Sequence, residues 1–121
     1  MKKQILIAVT LVAPVVSVAN FQGDYICKGN DLESNQPYEL TISFEKSQDT
    51  YRLKCEYENV LYDGTAFYDR QSHTLPAMLV NPNDYQETTL IIFHPQKNNH
   101  LYATWTYLGK TTIAQAKCIK R

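Results

Sequence analysis

The residue types that most often carry chemistry are thinly spread along this sequence. Three histidines, His73, His94 and His100, are the natural places to look for catalysis or a metal. His94 and His100 flank the segment Pro95 to Asn99, so a hairpin there brings two imidazoles near one another, and two imidazoles can begin a metal site. No third ligand stands close by in sequence, and all three are expected at loop edges with solvated rings. There is no Gly-x-Ser-x-Gly elbow to present a nucleophilic serine. Paired carboxylates for glycoside chemistry need Asp or Glu at inward positions, and Asp63 is the only candidate. The cysteines, Cys27, Cys55 and Cys118, form no C-x-x-C pair, which removes a zinc knuckle and a thioredoxin-type redox motif. No catalytic residue, metal or cofactor is expected, and the chain reads as a binding module and not an enzyme.

The elements that must position any site begin after an export signal. Met1-Lys2-Lys3 is a positive start, Ile5 to Val16 an apolar run, and Ser17-Val18-Ala19 a set of small residues suited to cleavage. That pattern is a secretory signal peptide over residues 1–19. The apolar run is shorter than the roughly 20 residues a membrane span requires, and Thr10 and Pro14 interrupt it. No membrane span is expected after cleavage, and the expected location is periplasmic or secreted. Residues 20–121 then form a single domain near the lower size at which a core alone gives comfortable stability. The charges of the whole chain balance, and losing Lys2 and Lys3 leaves a slight acidic excess. Nucleic acid is an unsuitable partner, because phosphate is held by basic surface and this chain has no net excess of it.

Strand periodicity runs through the mature chain. Tyr38, Leu40, Ile42 and Phe44 alternate with Glu39, Thr41, Ser43 and Glu45; Tyr51, Leu53, Cys55 and Tyr57 alternate with Arg52, Lys54, Glu56 and Glu58. Lys46-Ser47-Gln48-Asp49 turns between them, giving a hairpin. Leu101, Ala103, Trp105 and Tyr107 alternate with Tyr102, Thr104 and Thr106. After Leu108-Gly109-Lys110, Thr112, Ala114, Ala116 and Cys118 alternate with Ile113, Gln115, Lys117 and Ile119, a second hairpin. Segments 60–68, 74–80 and 87–94 have strand composition and are separated by turn clusters, and 23–28 supplies a first strand. Eight short strands predict an all-β domain, an eight-stranded antiparallel up-and-down barrel, with a two-sheet β-sandwich as the alternative. Gly64 fits a bend or bulge where a barrel turns its corner.

Gly23-Asp24-Tyr25 resembles the glycine-x-aromatic opening of the calycins, the superfamily of lipocalins, fatty-acid-binding proteins and avidins. That resemblance implies a barrel with a small-ligand habit. Tyr25-Ile26-Cys27 and Lys117-Cys118-Ile119 are similar to the paired segments of membrane-bound C-type lysozyme inhibitors, small exported barrels. Their inhibitory Ser-x-x-Gly-x-x-Tyr-like segment is absent: Asp63 to Tyr68 holds a Gly and a Tyr at another spacing. Taken whole, with Tyr25 to Asp31 and Trp105 to Gly109, the mature chain is most similar to small exported bacterial proteins of unassigned function, a likeness that supports the fold.

Tyrosine is the candidate binding residue. Tyr25, Tyr38, Tyr51, Tyr57, Trp105 and Tyr107 fall on the faces assigned inward, where rings with polar tips can stack on and hydrogen-bond a small apolar or aromatic ligand. The competing expectation is that these rings simply fill a small barrel. Tyr62, Tyr68, Tyr85 and Tyr102 are assigned outward, where tyrosine suits a protein partner. The function expected is therefore binding of a small ligand or a protein; inhibition of a hydrolase such as lysozyme, or interaction with a host, is the alternative. In an oxidising compartment two of the three cysteines should pair. In a closed barrel the first and last strands are antiparallel neighbours, so Cys27 and Cys118 can approach to the roughly 5.5–6 Å between Cα atoms that a bridge requires. Cys27 and Cys55 lie two strands apart, roughly 9.6 Å, unless the long connection 29–37 folds back. The expected disulfide is Cys27–Cys118, with Cys55 a free, buried thiol.

Export makes the first test. The protein recovered from its own host should begin at Asn20 by intact-mass measurement. Retention of Met1 in the mature pool would remove the basis for an oxidising compartment.

Overall fold

Alternation of apolar and polar residues decides the secondary structure. In Thr50–Tyr57 the residues Tyr51, Leu53 and Cys55 are buried while Arg52, Lys54 and Glu56 face water. The same two-residue period shapes the other strands of the computed structural model, which describes residues 20–121. The expected leader, 1–19, lies outside the described residues. In order the strands are β1 Gly23–Asn30, β2 Pro37–Ser47, β3 Thr50–Tyr57, β4 Val60–Ala66, β5 Leu75–Asn81, β6 Asp84–Pro95, β7 His100–Tyr107 and β8 Ala114–Lys120. Each pairs antiparallel with the next, and β1 pairs with β8, so the sheet closes into an up-and-down barrel. This architecture is compatible with a calycin-like fold, and it takes the place of the sandwich alternative.

Turn chemistry sets the short connections. Glu58 and Asn59 join β3 to β4 with φ of 51° and 65°, and both central residues of a tight type I′ hairpin need positive φ. Several strand limits depart from the sequence expectation: β1 and β2 run on to Asn30 and Ser47, and local hydrogen bonds account for the ends of β4 and β8. β4 stops at Ala66, and the chain beyond it turns into a loop tied by hydrogen bonds between Asp69 and the Thr74 and His73 backbone. β8 starts at Ala114 because the Thr106 hydroxyl donates to the Thr112 carbonyl at 2.7 Å, holding that residue in the loop. β6 starts earlier than expected, at Asp84, with a ladder irregularity at Val80 and Asn81 on the facing strand. A bend or bulge is expected at Gly64; the ladder irregularity is on β5 instead, and Gly64 pairs in regular register with Leu53 and Leu79. Gly64 is needed for another reason: a Cβ there would collide with the Met78 carbonyl oxygen, so its absence lets β4 and β5 come together.

The two ends of the barrel differ. At one end Phe21, just before β1, lies across the opening. Its amide donates to the Tyr51 hydroxyl at 3.1 Å and its carbonyl accepts from the Tyr25 hydroxyl at 3.0 Å. Its ring packs against Tyr51 and Tyr68, and beneath it Tyr25, Phe44, Tyr51 and Phe93 interlock edge to face with ring centres 5.1–6.1 Å apart. This end is full. The opposite end gathers the connections 31–36, 58–59, 82–83 and 108–113, because alternate loops of a meander share one end.

Cys27 stands directly opposite Cys118 in the β1–β8 register, and the two form a disulfide with a Cα–Cα distance of 4.0 Å. That is closer than the spacing expected from the sequence, in keeping with the direct opposition of the two residues in the ladder. Cys55, free and buried, is on β3. The bridge spans a separation of 91 residues, and in the chain-entropy model such a closure is worth on the order of 4 kcal/mol. Cys27→Ser and Cys118→Ser should each lower the melting temperature by a similar amount, roughly 10–20 °C in a domain of this size, and Cys55→Ser should do so less. Peptide mapping without reduction checks the pairing; a cross-linked peptide containing Cys55 would overturn it.

Candidate functional site

At the open end the interior is not filled. A cavity of about 100 Å³ lies between Tyr38 of β2, Tyr57 of β3, Tyr62 of β4 and Trp105 and Tyr107 of β7, over a deeper wall that includes Ile42, Ile91 and Phe93. The Cys27–Cys118 bridge and the Cys55 thiol also line it. The inward face of each strand supplies its ring: Tyr38 lies opposite Gly29, Cys55 opposite Tyr62, and Trp105 opposite Ile91. Gly29 is specific to this geometry, since a Cβ there would come within 2.7 Å of the Gln115 carbonyl oxygen and 2.8 Å of the Tyr38 hydroxyl. The missing side chain leaves room for the tyrosine tip.

The rings form an edge-to-face arc. Tyr57 meets Tyr38 at 6.2 Å, Tyr38 meets Trp105 at 6.1 Å, and Trp105 meets Tyr107 at 5.2 Å, with interplanar angles of 69–75°. Such contacts hold each ring by its neighbours. Trp105 is only 8% exposed, and among the described residues its Nε1 is the one buried side-chain nitrogen or oxygen without a hydrogen-bond partner. A buried donor left unmade costs roughly 1–3 kcal/mol.

Polar groups ring the mouth. Asp31, in the β1–β2 connection, reaches the cavity, and its Oδ2 accepts from the Glu33 amide, the Ser34 amide and the Ser34 hydroxyl at 3.0–3.1 Å. These bonds, the Ser34 amide foremost, hold the Asp31 carboxyl below its ordinary range, so it stays ionised. Its other oxygen, Oδ1, receives the Tyr107 hydroxyl at 3.5 Å. Burial and then the Asp31 charge push Tyr107 up to about 12. Tyr38 is raised chiefly by burial; the Trp105 indole N–H, directed toward its hydroxyl, opposes the rise, and Asp31 and Tyr57 add to it. Tyr57 is raised by burial, then by Glu58 and Asp31. Tyr62 is raised by burial and by Glu87, to which its hydroxyl donates at 3.4 Å. All four phenols therefore stay neutral at physiological pH.

The six aromatic residues singled out in the sequence divide between the two ends. Tyr38, Tyr57, Trp105 and Tyr107 meet at the cavity; Tyr25 and Tyr51 are at the filled end, with the Tyr25 hydroxyl on the Phe21 carbonyl and the Tyr51 hydroxyl receiving the Phe21 amide. Tyr62 corrects the outward assignment: it lines the cavity, because the residues of β4 that face water are Leu61 and Thr65. Tyr68 packs on Phe21, Tyr102 lies beside His94, and Tyr85 is 70% exposed. Asp31 and Gly29 were missed. Asp31 sits in a connection where strand parity says nothing, and the signal for it is the Asp-x-x-Ser turn that fixes its carboxylate.

The histidines lie away from the cavity. His73 hydrogen-bonds the Tyr68 hydroxyl through Nδ1 at 3.1 Å, and His94 rests beside Tyr102 on the outer face. Among the described residues no three His, Cys, Asp or Glu side chains group as metal ligands, and no helix is long and apolar enough to cross a membrane. No protein-family model matches the chain, and no curated protein does.

Alkaline titration tests the burial of these groups. Tyr25 and Tyr107 are raised from 10.0 to about 12, and Cys55 from 9.0 to about 11, burial being the main cause in each. A raised folded value means the stability is complete below the unfolded value and is lost as pH rises through the folded one. Stability should fall progressively from about pH 9 to pH 12, as the unfolded chain releases protons that the folded chain retains. Tyrosinate absorbance followed beside far-ultraviolet circular dichroism checks this: two tyrosines should ionise only as the sheet signal is lost. Ionisation of every tyrosine before unfolding would show that these hydroxyls are open to water.

Proposed function

We propose that this protein is an exported, non-enzymatic barrel that binds a small organic ligand inside its open end. The observation that carries the reading is the uneven interior: rings interlock fully at the Phe21 end, while the same residue types surround unfilled space at the other. A barrel selected only for stability gains from filling both ends, since interiors pack close to crystal density. The unpartnered Trp105 N–H supports the same reading, because a ligand oxygen would satisfy it. The cavity is smaller than the roughly 300–1,000 Å³ of drug-sized pockets, so it suits a small molecule or the head of a longer one leaving through the mouth. The disulfide is consistent with an oxidising location, periplasmic or secreted. The small-ligand habit that the calycin likeness implies agrees with this assignment.

A second reading has its own observation. Met78, Leu90 and Ile92 project outward from adjacent positions of β5 and β6 and are exposed, an apolar patch suited to a protein partner such as a hydrolase.

Native mass spectrometry of protein purified from its own host should show a small non-covalent adduct, and Thr89→Phe, which places a ring in the cavity wall, should abolish it with little change in melting temperature. Absence of any adduct, together with lysozyme inhibition that survives Thr89→Phe, would replace the ligand reading with the second one.

A further inference from the structure

The chemistry of the cavity narrows the class of ligand. Five aromatic side chains, Tyr38, Tyr57, Tyr62, Trp105 and Tyr107, surround one space. Ring faces carry negative potential, and a cation held among several of them is attracted most strongly when it is shielded from water. The charges near the mouth have the same sign. Asp31 is fixed in its ionised form by three loop hydrogen bonds on Oδ2, which leaves Oδ1 shared only with Tyr107. Glu87 lies on the Tyr62 hydroxyl and on Asn81 Nδ2, and Glu58 follows Tyr57 directly. Asp31, Glu87 and Glu58 belong to neither of the two ion pairs among the described residues, and Lys110, the nearby cation of the β7–β8 connection, is already held by Glu33. The mouth thus has an excess of negative charge.

Resting on the small-ligand reading above, we propose that the ligand is a small organic cation, a methylated or primary ammonium carried next to a hydrogen-bond-accepting oxygen. The ammonium sits among the rings, with Asp31 Oδ1 as its counter-charge at the mouth. The adjoining oxygen takes the Trp105 N–H, which lies toward the Tyr38 hydroxyl but reaches no partner at hydrogen-bond distance. An anionic ligand is disfavoured by Asp31, and a wholly apolar one leaves the indole without an acceptor. Size sets an upper bound: the enclosed space is below the roughly 150 Å³ of a cavity that accepts benzene, too small for a fused ring system, so part of any ligand stays in the mouth.

Choline and its uncharged isostere 3,3-dimethylbutan-1-ol separate charge from shape, since both carry the same hydroxyl and nearly the same volume. Binding is read by calorimetry and by the emission of Trp105, the only tryptophan of the chain. Choline should bind at least tenfold more tightly than the isostere. Asp31→Asn, whose amide oxygen can keep the loop bonds, should weaken choline five- to tenfold and leave the isostere unchanged; Tyr57→Leu should weaken choline without lowering the melting temperature appreciably. Equal affinity for the two probes would overturn the cation assignment while leaving the small-ligand reading in place. Binding of neither at millimolar concentration, with no adduct on the native protein, would remove both.

Discussion

Seven of the eight strand pairings join neighbours in sequence, whereas the pairing of β1 with β8 must bring the two ends of the domain together, and the barrel exists only if it forms. An open eight-stranded sheet would present two unpaired edges and spill its inward apolar face into water. The seam removes both penalties at once, and the Cys27–Cys118 bridge sits within it on directly opposed residues. The cost of closure is entropic and set by chain length, so a covalent link across that seam acts where it has most effect. The cavity wall depends on the same contact, because the bridge lines the space in which the rings of β2, β3, β4 and β7 meet.

Closure leaves a cylinder with two ends, and tyrosine serves each differently. At the filled end the hydroxyls of Tyr25 and Tyr51 meet the carbonyl and amide of Phe21, so polar tips that would be costly to bury are matched by backbone that would otherwise be unmatched. The rings there lock into the aromatic cluster of Phe44 and Phe93. At the open end the tyrosine tips of Tyr62 and Tyr107 point at carboxylates, and the rings stand around space. One residue type therefore makes both the stopper and the wall of the open cavity, and the difference lies in what each hydroxyl finds opposite it.

The sequence discloses the strands far better than the site. Where charged and apolar residues alternate, as in Tyr51 to Glu56, one face must be dry and the two-residue period leaves no choice. The pairing of Cys27 with Cys118 follows from closure, a property of the whole topology. In Val60–Ala66 the parity is obscured, since Leu61 and Tyr62 are both suited to a core and Gly64 has no side chain to vote; only the register with β3 sends Tyr62 inward. Which inward rings pack and which line a cavity is decided by residues outside the alternating strands: Phe21 before β1 and Asp31 after it. Periodicity carries no information at either place.

The unpaired Cys55 has a bearing on how the molecule is made. In an oxidising compartment three thiols can be joined in three ways, and the wrong partners meet sooner. Cys27 and Cys55 are separated by roughly 28 residues against 91 for the native pair, a difference that favours their encounter in the unfolded chain by about sixfold on loop-closure entropy. A Cys27–Cys55 bridge would join strands that are not neighbours and would exclude β2 from between them. Maturation therefore passes through a choice between speed and correctness: either the hairpins assemble and shelter Cys55 before oxidation, or a mispaired isomer forms first and must be reshuffled by an external thiol.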